Sequence, residues 1–300
     1  MSSIIIRQFT PSQASEIAKS QTKIYNQAIS NFPNYLPVAV EDVIAHFHHH
    51  AFDPKRMFYA YDGPKMVGFA SLSARDIQRN LRTMSYPWII KDTNPSVRNL
   101  LFTAVEQQCR RDRTKLLRTY VFESYRDIFS FFTDKNFIIT QEFIIMEKEL
   151  TKNVFTIPSG YRLRTLQKRD LPKLESILLH DPKIKLRFTP SDWNQFLNIN
   201  EFNPDDVIVA EKDHQVVGFY ALTIPTDPTK AKAYIAGEAI DTQDQIIEPY
   251  LVMGLENRAL EHGKKTLETS FKADSKRIRL ALDRGFQKTG KTFRLDKVLF

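Results

Sequence analysis

The chain has 300 residues, 42% hydrophobic and 26% charged, and a formal net charge of +8 spread evenly over its two halves. That length suits about two domains, and the composition excludes a disordered chain; the mild basic excess suits acidic ligands such as nucleotide phosphates but makes nucleic acid an unlikely partner. No run approaches the roughly 18 apolar residues of a membrane helix, so no membrane partner is expected, and the single cysteine, Cys109, excludes an internal disulfide and a thiol-rich metal site.

Residues 4–9 read as an opening strand, not as a signal peptide, because a basic start and a long apolar stretch are missing. With the lone cysteine this points to a cytoplasmic protein. Helices are expected over 11–28 and 40–50, then a hairpin of 57–61 and 65–73 around Asp62-Gly63-Pro64. A fourth strand covers 84–90. An amphipathic helix follows, with Val97, Leu100, Leu101, Ala104 and Val105 on one face, and then a fifth strand over 116–122. A short helix with Ile128, Phe131 and Phe132 on one face and a strand over 137–149 complete the set.

The same order then returns. Strands are expected over 161–166, 207–211, 215–223, 232–240, 266–271 and 286–299, with helices over 169–179 and 191–198, another carrying Ile247, Leu251, Leu255 and Ala259, and a short one carrying Ile278, Ala281 and Leu282. The return has a register. Val67-Gly68-Phe69 matches Val217-Gly218-Phe219 at an offset of 150, which also relates Leu72 to Leu222, Thr119 to Thr269 and Phe143 to Phe293. Such self-similarity marks a duplicated unit. We expect domains at 1–150 and 161–300 joined by a linker at 151–160, where Pro158-Ser159-Gly160 signals a turn. The hairpins require antiparallel pairing and the long helix requires a parallel crossover, so each half predicts a mixed α/β sheet, mostly antiparallel, with helices on both faces.

Val67-Gly68-Phe69, Val217-Gly218-Phe219 and Asp283-Arg284-Gly285-Phe286 resemble words of the GNAT superfamily of N-acyltransferases, and the element order is similar too. Asp134-Lys135-Asn136-Phe137 is the weaker counterpart of the last word, with Asn136 suited to the left-handed backbone at a helix end. The resemblance covers both halves. It implies transfer of an acyl group from acetyl-CoA or another acyl-CoA to an amine acceptor that the sequence does not name, with no metal.

The family holds the pyrophosphate on backbone N–H groups at a helix N-terminus, with glycines for close approach. Glycine is scarce here, 9 residues or about 3% against the usual ~7%. In the first half Arg98 matches the family's Gln/Arg position, beside Asn99, but Leu101 and Thr103 stand where glycines are expected. In the second half Glu248 aligns with Arg98, and a shifted register brings Gln245 to the role instead. The pocket walls implied by the resemblance are Ile89, Ile90, Arg98 and Asn99, or Ala239, Ile240 and Gln245. Glu238, on the fourth strand of the second half, matches a usual place of the general base, with Trp88 opposite it in the first half; a solvent-facing carboxylate is the alternative. Phe132 and Ala281 replace the family's tyrosine, and Tyr125, Tyr234 and Tyr250 lie near.

Two other clusters have plainer readings. His46 and His50 have the i,i+4 spacing of metal ligands but also suit a solvated helix end. Arg110, Arg111, Arg113, Lys115 and Arg118 suit a helix C-terminus better than an RNA surface. Three functions stay open: an N-acyltransferase, a non-catalytic GNAT-like module that binds acyl-CoA or a protein, and an RNA-associated protein.

Overall fold

A computed structural model describes residues 4–31, 37–49, 52–91, 93–180, 203–224, 232–240 and 244–300, leaving out the side chains of 31, 175, 178–180 and 234–239. The chain forms two compact units, Met1–Glu142 with Thr292–Phe300, and Phe143–Lys291. The division falls inside two long strands.

Unit one runs β1 (Ile4–Gln8), α1 (Ala14–Ala28), α2 (Val40–His48), β2 (Met57–Asp62), β3 (Lys65–Ser71), β4 (Leu81–Thr83), β5 (Trp88–Ile89), α3 (Ser96–Arg111), β6 (Leu116–Phe122), α4 (Arg126–Asp134) and the start of β7 (Ile138–Glu149). β1, β2, β3 and β5 pair antiparallel in that order. β4 pairs parallel with β6, and the far edge of β6 pairs antiparallel with Thr292–Val298. The expected fourth strand is thus two short pieces. Pro87 lacks the N–H a continuous ladder needs, and a single Leu72–Met84 bridge holds the gap between them.

Unit two repeats the plan with the end of β7, β8 (Tyr161–Thr165), α5 (Leu171–His180), β9 (Val207–Lys212), β10 (Gln215–Thr223), β11 (Lys232–Ile240), α6 (Glu248–Glu261), β12 (Thr266–Lys272), α7 (Arg277–Asp283) and the start of β13 (Gln287–Val298). Its order is β8-β9-β10-β11-β12, closed by Phe143–Glu149 antiparallel to β12. The helix expected over 191–198 lies outside the described residues, as does His50.

Alternation along β3 explains its glycine. Phe69 is buried, while a Cβ on Gly68 would stand 2.8 Å from the Trp88 carbonyl, 2.9 Å from Ile89 Cγ2 and 3.2 Å from Leu101 of α3. Only glycine lets strand and helix meet there. Both short helices end alike. Asn136 and Gly285 take φ of 63° and 84°, and the next residue's N–H, on Phe137 or Phe286, turns back to Phe132 or Ala281. The left-handed conformation expected of Asn136 is the observed one. Unit one packs around Tyr59, Leu101, Leu117 and Phe132, unit two around Leu174, Leu222, Leu251 and Leu255, all fully buried.

Candidate functional site

In each unit the strands before and after the long helix begin as a parallel pair and then separate. In unit two β11 pairs with β12 from Lys232 to Tyr234 and afterwards follows β10 alone. Ala221 faces Gly237 and Leu222 faces Ile235, so Ala236 is an extra residue, a bulge that bends β11 away. In unit one β4 pairs with β6 from Leu81 to Thr83, the Met84 N–H reaches Arg118 O, and the chain then joins β3. Such a splay leaves a cleft over the carboxyl ends of the strands, where α/β sheets usually take ligands.

The cleft of unit two is narrow and mixed in character. Its lining includes Tyr220 of β10, Glu248 of α6, Thr269 and Phe271 of β12, and Arg277, Ala281 and Arg284 around α7. The buried Tyr220 hydroxyl donates to Glu248 Oε1 at 2.7 Å. Burial, then the Glu248 carboxylate, pushes the pKa of this hydroxyl well up. The α6 N-terminus carries a second carboxylate. Asp244 Oδ1 accepts from Tyr161 Oη at 2.5 Å and Lys212 Nζ at 2.8 Å. Burial raises the pKa of Asp244, but these donors outweigh it and hold the carboxyl below its usual range.

The α3 N-terminus of unit one is closed differently. Its first N–H groups are taken within the turn: Ser96 N–H by Asn94 Oδ1 at 2.9 Å, Val97 N–H by Asn94 O and Arg98 N–H by Pro95 O. The Arg98 guanidinium lies 5.5 Å from the centre of the Tyr86 ring, and its Nε is buried without a hydrogen bond.

The residues expected from the sequence are distributed as follows. Ile89 is buried opposite Gly68; Ile90 is half-buried, its N–H bonded to Val67 O. Arg98 is half-buried and Asn99 exposed on the first turns of α3. Ala239 and Ile240 stand opposite Phe219 and Gly218, and Gln245 is exposed in the 3-10 turn that starts α6. Glu238 stands opposite Tyr220 in the stretch of β11 that has left β12; its side chain lies outside those described, as does that of Tyr234. Ladder register corrects one equivalence. Phe69 faces Trp88 and Phe219 faces Ala239, so Ala239 is the counterpart of Trp88, and Glu238 that of Pro87. The slip is present from the start of the strand, since Leu81 pairs with Leu116 and Lys232 with Thr266. The pair Tyr220–Glu248 and the cations Arg277 and Arg284 were not singled out as a site. Only Glu248, anomalous at its aligned position, pointed there.

The remaining clusters are engaged in packing. His46 sets its ring edge-on to Phe52 at 5.4 Å, and its pKa is lowered by burial, then by His49 and Arg56. Arg118 makes a bidentate pair with Asp296 at 2.7 and 2.9 Å, and Arg110 donates to Leu299 O. Arg118 is thus buried, while Arg110 stays exposed. Cys109 is buried, and burial pushes its thiol up to about 12, far from a reactive thiolate. Among the described residues no group of three His, Cys, Asp or Glu side chains is placed to hold a metal, and no helix is long and apolar enough to cross a membrane.

No protein-family model matches the sequence, and no curated protein matches it significantly. Solved structures do match over the whole chain. A tandem GNAT protein from the clavulanic acid biosynthesis pathway superposes with a TM-score of 0.80 at 13% identity, covering 99% of each chain. A GCN5-related N-acetyltransferase from Sphaerobacter thermophilus gives 0.73 at 14%, covering 99% of this chain and 96% of the other. Saccharomyces cerevisiae N-myristoyltransferase with bound myristoyl-CoA gives 0.64 at 10%, covering 99% and 78%. The chain has the GNAT fold, in two copies.

Proposed function

We propose that the chain is an N-acyltransferase that moves an acyl group, most simply acetyl, from acyl-CoA to an amine. The observation that carries this reading is the bulged separation of β11 from β12, which opens a cleft in unit two. A neutral amine attacks the thioester carbonyl, the C–S bond breaks, and the thiolate leaves and takes a proton. Glu238 is the proposed general base, because register puts it in the freed stretch of β11. A carboxylate with pKa near ~4 is a poor base for an ammonium near ~10, so its site must raise it.

A second reading has an observation of its own. The usual pyrophosphate cradle is altered in both units: α3 uses its first N–H groups internally, and α6 presents Asp244 and Glu248. That favours a non-catalytic module that binds acyl-CoA or a protein. The experiment that separates the two is thiol release from acetyl-CoA and longer acyl-CoAs, with the full chain and a panel of primary amines. The acyltransferase reading expects amine-dependent release. Acyl-CoA binding without release by any amine would favour the second.

A further inference from the structure

We infer that unit one carries an oxyanion site in the groove between α1 and the β2–β3 hairpin, where Arg7 and Lys65 take the charged head of a small carboxylate or phosphate monoester and the apolar floor takes its body. The groove draws no residue from α3, β6 or α4, the elements around the splay, so the assignment does not depend on acyl-CoA binding.

The groove has a volume of about 440 Å³, within the usual range of small-molecule sites. Its lining sets three solvent-exposed cations, Arg7, Lys23 and Lys65, against a single carboxylate, Glu16. Ile17, Ile24 and Met66, all buried, supply the apolar floor. The Arg7 guanidinium lies 4.9 Å from the centre of the Tyr61 ring. Beyond that contact, none of the three cations makes an ion pair or a side-chain hydrogen bond among the described residues, and the Tyr61 hydroxyl makes none either. Burial raises the pKa of this hydroxyl, Arg7 lowers it and Glu16 raises it; the net shift is upward, so the group stays protonated and able to donate.

The second copy has the same groove with its arginine satisfied. Arg7 stands opposite Tyr59 and Arg164 opposite Val209, 150 residues later, so ladder register makes Arg164 the counterpart of Arg7. Arg164 lines the groove between α5 and the β9–β10 hairpin together with Asp170 and Glu211. It donates to Asp170 at 2.6 and 2.9 Å and to Glu211 at 2.8 Å, which fills its fork. Unit one carries neither carboxylate. Tyr61 takes the place of Glu211, for the two pair with Met66 and Val216 in the equivalent ladders. Gln13 takes the place of Asp170, each being the last residue of the 3-10 turn that leads into the first helix. The duplication keeps the arginine in both copies and removes both of its acids from one.

The chemistry of the ligand follows from that exchange. A planar guanidinium donates two parallel hydrogen bonds to a carboxylate or a phosphate, and such charged bonds are roughly twice as strong as neutral ones. In unit two the fold supplies the oxyanions itself; in unit one a ligand supplies them. Lys65 and the Tyr61 hydroxyl add donors from the hairpin, and Lys23 adds charge from α1. The floor of Ile17, Ile24 and Met66 favours an anion with a hydrocarbon or aromatic body, because covering that surface releases water.

Calorimetric titration of the full chain with octanoate and with phenyl phosphate tests the assignment, with folding of each variant checked by its thermal melt. At millimolar concentration at least one probe binds, one per chain, and the tighter of the two names the head group. Arg7→Gln weakens that probe by about ten- to hundredfold, as for loss of a charged hydrogen bond. The double variant Gln13→Asp with Tyr61→Glu, which gives Arg7 the acids of unit two, abolishes binding; Arg7→Gln gives an independent reading should the double variant fail to fold. Arg169→Ala, in the groove of unit two, leaves binding unchanged, as does saturating acetyl-CoA. No binding of either probe, undiminished binding by Arg7→Gln or by the folded double variant, loss of binding in Arg169→Ala, or displacement by acetyl-CoA overturns the assignment.

Discussion

The Tyr220 hydroxyl donates to Glu248 Oε1 at 2.7 Å, joining β10 to the first turn of α6 inside unit two. Both residues are buried, so the bond satisfies a carboxylate that has lost its water. Tyr220→Phe removes the donor and keeps the ring. We expect it to lower stability by about 1–3 kcal/mol, read by urea unfolding. Equal stability of the two proteins would mean that Glu248 finds another donor.

The same tyrosine, with Tyr59, makes the fold sensitive to alkali. Burial pushes both hydroxyls well above the ordinary value of 10.0, helped by Glu248 at Tyr220 and by Tyr61 at Tyr59. The folded chain therefore keeps protons that the unfolded chain releases above about pH 10. Their contribution is fully present below that pH and is lost as pH rises toward the folded values. Stability should fall by up to about 1.4 kcal/mol per pH unit for each tyrosine in that window. Denaturant melts between pH 9 and 11 measure the slope, and Tyr59→Phe should make it shallower.

Within unit one, Asp296 accepts from Arg118 Nε at 2.7 Å, Arg118 Nη2 at 2.9 Å and the Thr140 hydroxyl at 2.8 Å. Asp296→Ala leaves a buried guanidinium uncompensated and should cost about 3–5 kcal/mol. Asp296→Asn keeps an acceptor and should cost less. If both unfold at the urea concentration of the unaltered chain, the strand from Thr292 to Val298 does not close unit one as described.

Much of this architecture was legible in the residues. The 150-residue register predicted two copies, the Val-Gly-Phe words marked the same strand in each, and Asn136 stood where a left-handed residue was required. The pairing of Thr292–Val298 with β6 was not legible, because strand partners far apart in sequence leave no local pattern. Nor was the split of the fourth strand in unit one, although Pro87 was its cause in plain sight. The site was less legible still. Glu248 drew notice only as a misplaced charge, and its partner Tyr220 sits in an apolar run that reads as core. An offset count made Trp88 the equivalent of Glu238, and only ladder register shows that the fourth strand runs one residue out of that offset.

The helix ends offer a paired test. Asn136 and Gly285 hold equivalent positive-φ positions. Gly285→Ala should destabilise by about 1–2 kcal/mol, the cost of left-handed backbone for a residue with a Cβ. Asn136→Gly should be neutral or mildly stabilising. Thermal melts of the two variants read opposite directions if the equivalence is sound.

For the proposed chemistry, Glu238→Gln should reduce acyl transfer by about 10²–10⁴-fold, the usual range of general-base help, while acetyl-CoA affinity stays nearly unchanged. Steady-state rates and a binding titration on the same preparation check this. Full activity would remove Glu238 from the mechanism and leave positioning of an already neutral amine.

Hydrogen exchange of the full chain, followed by mass spectrometry with and without saturating acetyl-CoA, tests the central claim most directly. The ligand should slow exchange in residues 244–252 and 266–286, the elements that line the cleft of unit two. Residues 84–98 and 119–137, the corresponding segments of unit one, should exchange at the same rate in both states. Protection confined to the segments of unit one, or no protection anywhere, would contradict the account.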